Sequence, residues 1–270
     1  MLIKDFFTFL IGCCFGSFIN VIIYRLPLGE SIVLPGSHCM KCNYKIRWHE
    51  NIPIISWILL RGRCIKCNQK ISIMYPIIEI FTGLLFILNN YSLHSRFAIG
   101  PQFIPTVCGW IFISILLVMA ILDMKYLWLP EIICKFGIIL AIFLSGFFQI
   151  RFQDLTSNLL IIETLLCICL GYFIFKSISL IGLRIYKKPV MGNGDAKFAA
   201  FLGSWLGLNG LFLSIWLAFF LAGIFGIIGL IFRTIKKEQK LPFGSFLSLS
   251  GLFVWYLGND SLANLIFIGR

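Results

Sequence analysis

Two aspartates stand where a carboxylate is costly to keep. Asp123 closes a long apolar run in "LLVMAILDMKYLWLP", and Asp195 opens another in "GNGDAKFAAFLG". An ionisable group at membrane depth marks a functional site by default. The bland alternative is a helix cap, which suits Asp195 at the start of its run and not Asp123 at the end of its own. Two carboxylates roughly 3 Å apart cannot both ionise, so they share one proton. The ionised member can take a proton from water while the other donates to the carbonyl of a scissile amide. Gly192 and Gly194 precede Asp195; they let the backbone turn tightly and let a substrate strand approach without meeting a Cβ. An ordinary turn between helices is the alternative for this glycine pair.

Four of the ten cysteines form the second constellation. "CMKC" and "CIKC" place Cys39, Cys42, Cys64 and Cys67 as two C-x2-C knuckles, close to zinc-ribbon spacing. Two such turns complete a tetrahedral four-thiolate shell with no open position, which is a structural zinc site and not a catalytic one. A redox pair or disulfides are the alternatives; a reducing compartment and the near-identity of "CMKCN" and "CIKCN" favour metal. His38 adjoins Cys39, but four thiolates already suffice. Cys13, Cys14, Cys108, Cys134, Cys167 and Cys169 fall in or beside apolar runs and read as small hydrophobes.

The elements that must position these residues are membrane helices. The chain of 270 residues is 59% hydrophobic and only 13% charged, well below the charge of a soluble domain. Its continuous apolar runs predict an all-α polytopic membrane protein and exclude a β-barrel. About eight transmembrane spans are expected, at 6–24, 76–91, 103–122, 132–150, 158–181, 196–209, 210–232 and 244–259, with a tight turn at Asn209-Gly210. Residues 1–24 read as a retained first helix, 25–75 as a cytoplasmic zinc-ribbon-like loop domain, and 76–270 as the helical core.

Eighteen Lys and Arg fall in the loops of one side and four on the other, with Lys176 inside a span. By the positive-inside rule the crowded side is cytoplasmic, and it carries the cysteine loop and both aspartates. The net charge of +12 is then explained by topology and anionic lipid, so nucleic acid drops out as a partner. Of the remaining acids, Asp5, Glu30, Glu50, Glu131, Asp154, Glu238 and Asp260 read as solvated. Glu79 and Glu163 lie within apolar segments without an evident role. "GNGDAK" is not a P-loop, "HENIP" lacks the second His of H-E-x-x-H, and there is no G-x-S-x-G.

The sequence resembles the type IV prepilin peptidases, or leader peptidase/N-methyltransferases. "FGSFINVIIYRLP", "ENIPIISWILLRGRCIKCNQKISIMYPIIEIFTG", "LDMKYLWLPE", "MGNGDAKFAAFLGSWLG" and "LPFGSFLSLSG" carry the resemblance in the family's order, over nearly the whole chain. It implies that Asp123 and Asp195 are catalytic and that Cys39, Cys42, Cys64 and Cys67 bind Zn2+. It implies a bacterial inner-membrane enzyme that cleaves the basic leader of prepilins and pseudopilins at the cytoplasmic face. Methylation of the new N-terminus by S-adenosylmethionine is also implied, with no donor site evident from the residues. Glu50 and Glu131 stand where the family commonly has aspartate, and both keep a carboxylate.

Two readings from other classes compete. A transporter could use the aspartates as a proton relay, although transport sites lie near the bilayer midplane. A non-enzymatic assembly factor could dock through the zinc loop, but leaves the aspartates unexplained.

Overall fold

Helix is what the apolar runs become. The computed structural model describes residues 2–96, 103–152, 160–187, 191–234 and 240–258. The helices are α1 (Leu2–Arg25), the short α2 (Ile55–Leu59), α3 (Met74–Arg96), α4 (Phe103–Tyr126), α5 (Glu131–Phe152), α6 (Leu160–Tyr186), α7 (Asn193–Ile231) and α8 (Phe243–Leu257). Among the described residues there is no strand, only two isolated antiparallel bridges, His38 with Lys45 and Arg63 with Lys70. Five segments are long and apolar enough to cross a membrane: Leu2–Leu28, Ile104–Tyr126, Glu131–Ile150, Leu160–Ile185 and Asn193–Ile231. The protein is an all-helical, polytopic membrane protein. Asp154, Glu238, Asp260, Lys188, Lys236, Lys237 and Arg270, which entered the charge and topology reading, lie outside the described residues.

The chain divides into two compact units, residues 1–114 and 115–270. In the first, α1 and α3 pack at glycine distance. A Cβ on Gly12 would lie 2.6 Å from Gly83 Cα, and one on Gly16 2.6 Å from Glu79 Cα. Small residues one turn apart let membrane helices approach this closely. The buried Asn90 donates across the pair to Thr8 Oγ1 at 2.9 Å. Asn20 donates to the Tyr75 carbonyl at 3.2 Å.

In the second unit α6 and α7 run antiparallel. Cβ atoms on Gly171 and Gly203 would lie 2.6 Å from the Ala199 carbonyl oxygen and 2.5 Å from that of Cys167. The long α7 breaks at Gly207, which takes φ 69° and ψ −174°, a backbone conformation open to glycine. Past the break the chain returns along α6: Phe219 stacks on Phe175 at 6.3 Å between ring centroids. From Gly207, beside Glu163, both elements travel twelve residues to that pair, about 18 Å of helix. The expected turn at Asn209-Gly210 therefore falls two residues earlier, because Gly207 alone takes the left-handed φ and Gly210 is buried in helix. Glu163, unexplained from sequence, sits at this reversal in the first turn of α6.

Candidate active site and metal centre

Asp123 lies in the last turn of α4, where Leu127 ends the helix in the left-handed region (φ 51°) with its N–H on the Asp123 carbonyl at 2.9 Å. Its side chain is buried, 5% exposed. A buried carboxylate needs donors, and the first turn of α8 supplies them. Ser245 gives its backbone N–H to Asp123 Oδ2 at 2.8 Å and its hydroxyl at 3.3 Å. The positive end of the α8 dipole adds to these charge-assisted bonds. The single Ser245 O–H is shared between Asp123 Oδ2 and the Ala120 carbonyl, at 2.9 Å the nearer acceptor, which ties the two helix ends together.

Asp195, the third residue of α7, is half-buried. Its Oδ2 accepts the Gly192 N–H at 3.1 Å, as a capping carboxylate would. Its Oδ1 makes no hydrogen bond among the described residues. The preceding turn is held to α6, where Lys176 donates to Asn193 Oδ1 at 3.1 Å and the Ser179 hydroxyl to the Met191 carbonyl at 3.3 Å. Glu131, at the start of α5, pairs with Lys135 at 2.8 Å and with Lys197 at 2.5 Å. Lys197 is two residues beyond Asp195, so α5 helps to fix the start of α7.

The two aspartates share one end of this unit. Leu129 is the wedge: Cβ atoms on Gly194 and Gly244 would lie 3.1 Å and 2.9 Å from its side chain, and the latter 3.0 Å from Asp123 Oδ2. Gly192 is exposed, whereas Gly194 is a packing position against Leu129. Sequence reasoning missed Ser245, Gly244, Leu129 and the Glu131–Lys197 pair. A Ser in the first turn after Pro242 was the available signal.

In the first unit the four cysteine sulfurs lie within 4.8 Å of one another. Cys39 Sγ is 3.7 Å from Cys67 Sγ, and Cys42 Sγ 4.0 Å from Cys64 Sγ. A tetrahedral site with Zn–S near 2.3 Å would put its sulfurs roughly 3.8 Å apart, so the donor set fits the ion. The knuckles are copies in three dimensions as well. Asn43 N–H meets the Cys39 carbonyl and Asn68 N–H the Cys64 carbonyl, each at 2.9 Å. Both asparagines take positive φ, 52° and 56°.

The backbone N–H groups of Cys42 and Lys41 point at the Cys39 sulfur and hold its thiol down at about 6. His38 stays out of the cluster, its Nδ1 against the Gly36 carbonyl at 3.0 Å. Glu50 braces the loop: it accepts the Arg47 N–H at 2.9 Å and the Tyr44 hydroxyl at 3.1 Å. Those partners, the Arg47 N–H first, hold its carboxyl below the usual range.

The bacterial peptidase A24 N-terminal domain matches residues 10–93, and the type IV leader peptidase family matches residues 110–227. The chain is 33% identical to the prepilin leader peptidase/N-methyltransferase of Myxococcus xanthus, over 74% of this chain and 55% of that longer protein. It is 31% identical to the type 4 prepilin-like proteins leader peptide-processing enzyme of Escherichia coli, over 91% of each. It is also 31% identical to the prepilin leader peptidase/N-methyltransferase of Neisseria gonorrhoeae, over 93% of this chain and 90% of that one. No solved structure matches it. The chain belongs to the type IV leader peptidase family. Nothing found supports the transporter reading.

Proposed function

We propose that Asp123 and Asp195 form the dyad with which this inner-membrane enzyme cleaves the leader of prepilins and pseudopilins. The observation that carries the reading is the convergence of two carboxyls on one end of a helical unit, one clamped by a helix N-terminus and one with a free oxygen. Ser245 holds Asp123 in place, Gly192 orients Asp195, and Asp195 Oδ1 faces a water or the scissile carbonyl. One proton moves between the pair, so no covalent intermediate and no catalytic metal is needed. Gly192 leaves the approach to Asp195 open for a substrate strand.

The enzyme also methylates the new N-terminus, with S-adenosylmethionine as donor. Cys39, Cys42, Cys64 and Cys67 hold a structural Zn2+ that folds the loop of residues 25–75. Eight crossings follow if α7 counts as two arms about Gly207, with α3 and α8 completing the set. The basic loops and both aspartates then face the cytoplasm. Incubating the purified enzyme with a prepilin, with and without S-adenosylmethionine, tests the reading by mass spectrometry. Leader loss and a single added methyl group are expected; an intact prepilin contradicts it.

A further inference from the structure

A cavity of about 310 Å3 opens in the first unit between the C-terminal half of α1 and the segments around residues 32–37 and 51–53. Val21 and Ile32 contribute an apolar wall, Ser37 and Asn51 polar groups, and Arg25 lies among them. Arg25 is 6% exposed. Its guanidinium donates to the Ser31 carbonyl at 3.1 Å and the Gly36 carbonyl at 3.2 Å. That uses two of five N–H donors. Among the described residues no carboxylate pairs with it. A buried, uncompensated cation is costly, and one that lines a cavity is suited to receive an anion there.

We propose that this cavity binds the methyl donor, and that Arg25 holds the donor's α-carboxylate. The proposal rests on the methyltransferase reading above and gives it a place. A planar guanidinium matches a carboxylate through parallel N–H bonds. Ser37 and Asn51 bring oxygens that can accept from the α-ammonium of the same amino-acid end, and the apolar wall suits the adenosine. In the transfer this serves, the neutral amine of the processed substrate attacks the S-methyl carbon. The C–N bond forms as the C–S bond breaks, the sulfonium becomes a thioether, and the amine proton leaves to water. Arg25 positions the donor and takes no part in bond making.

The test compares two ligands by equilibrium dialysis in detergent without anionic lipid. S-adenosylhomocysteine carries the carboxylate, and 5′-methylthioadenosine lacks the whole amino-acid end. Arg25→Gln should weaken S-adenosylhomocysteine at least about tenfold, the worth of a lost charge-assisted bond, and leave 5′-methylthioadenosine within about twofold, with leader cleavage retained. Equal loss of both ligands, or loss of neither, overturns the placement. If Arg25→Gln also loses cleavage and so misfolds, Val21→Trp, which fills the cavity, decides: donor binding must vanish with cleavage intact, and unchanged binding overturns the proposal. A parent protein that methylates while Arg25→Gln binds the donor normally refutes only this site. A parent that binds no donor refutes the methyltransferase reading with it.

Discussion

The Asp123 carboxylate accepts the Ser245 backbone N–H at 2.8 Å, joining the last turn of α4 to the first turn of α8 across 122 positions of sequence. One aspartate is thereby a fixed point, against which the second can be set.

Ser245→Ala keeps that backbone bond and loses the hydroxyl bonds to Asp123 and Ala120. A hydrogen bond to a charged group contributes about 1.5–3 kcal/mol, so leader cleavage should fall roughly tenfold in kcat with little change in KM. Ser245→Pro, which removes the N–H itself, should abolish cleavage. Steady-state kinetics on a prepilin peptide with both variants checks the order.

Leu129 lies against the turns at both Gly194 and Gly244. An alanine at Gly244 would press both Leu129 and Asp123 Oδ2, and one at Gly194 would press Leu129 alone. Gly244→Ala should therefore damage cleavage more than Gly194→Ala. Gly36→Ala, whose Cβ would meet nothing within 4 Å, should be silent. Equal activities across the three would show that Leu129 does not set the geometry.

The Glu131–Lys197 pair is partly exposed, 45% and 34% at the side chains, so its stabilisation is about 0–1 kcal/mol. Its effect should appear as position and not as folding. Glu131→Gln should slow cleavage by about two- to fivefold, with the Tm unchanged within error. Exchanging the charges with Glu131→Lys and Lys197→Glu should recover part of the loss, and high salt should shrink the difference.

Zinc should bind at one ion per chain, and Cys39→Ser or Cys64→Ser should lower its content and the yield more than the chemistry of cleavage. Zinc is held by thiolates, so protons compete with the ion for all four sulfurs as pH falls. Zinc release followed by a chromogenic chelator should accordingly rise as pH drops below neutral. Release that does not rise as pH drops would show that the ion is not held by these thiolates.

Residue type and spacing single out Asp123, Asp195 and the four cysteines, because a charge in an apolar run and a repeated C-x2-C are local signals. The partners were not legible. Ser245 and Leu129 meet Asp123 and Gly194 only after helices distant in sequence pack together, and no period along the chain encodes that. The reversal in α7 shows the same limit. Asn209-Gly210 has the sequence of a turn, yet Gly207 bends, where the first arm of α7 reaches the end of α6 at Glu163. Glu79 was likewise opaque: its buried carboxylate accepts the Ile54 N–H at 2.8 Å, bracing a residue held at φ 63°.

The central claim is that Asp123 and Asp195 act as one catalytic unit. Asn is nearly isosteric with Asp but cannot pass the shared proton. The decisive measurement is the rate of leader cleavage, read by mass spectrometry, for Asp123→Asn, Asp195→Asn and the double variant at matched membrane insertion and zinc content. The account predicts that each single variant is inactive and that the double variant is no worse than either, as for groups that act together. Cleavage by Asp195→Asn at a rate within a few-fold of the parent would contradict it, and would leave Asp195 as the helix cap its bond to Gly192 already makes it.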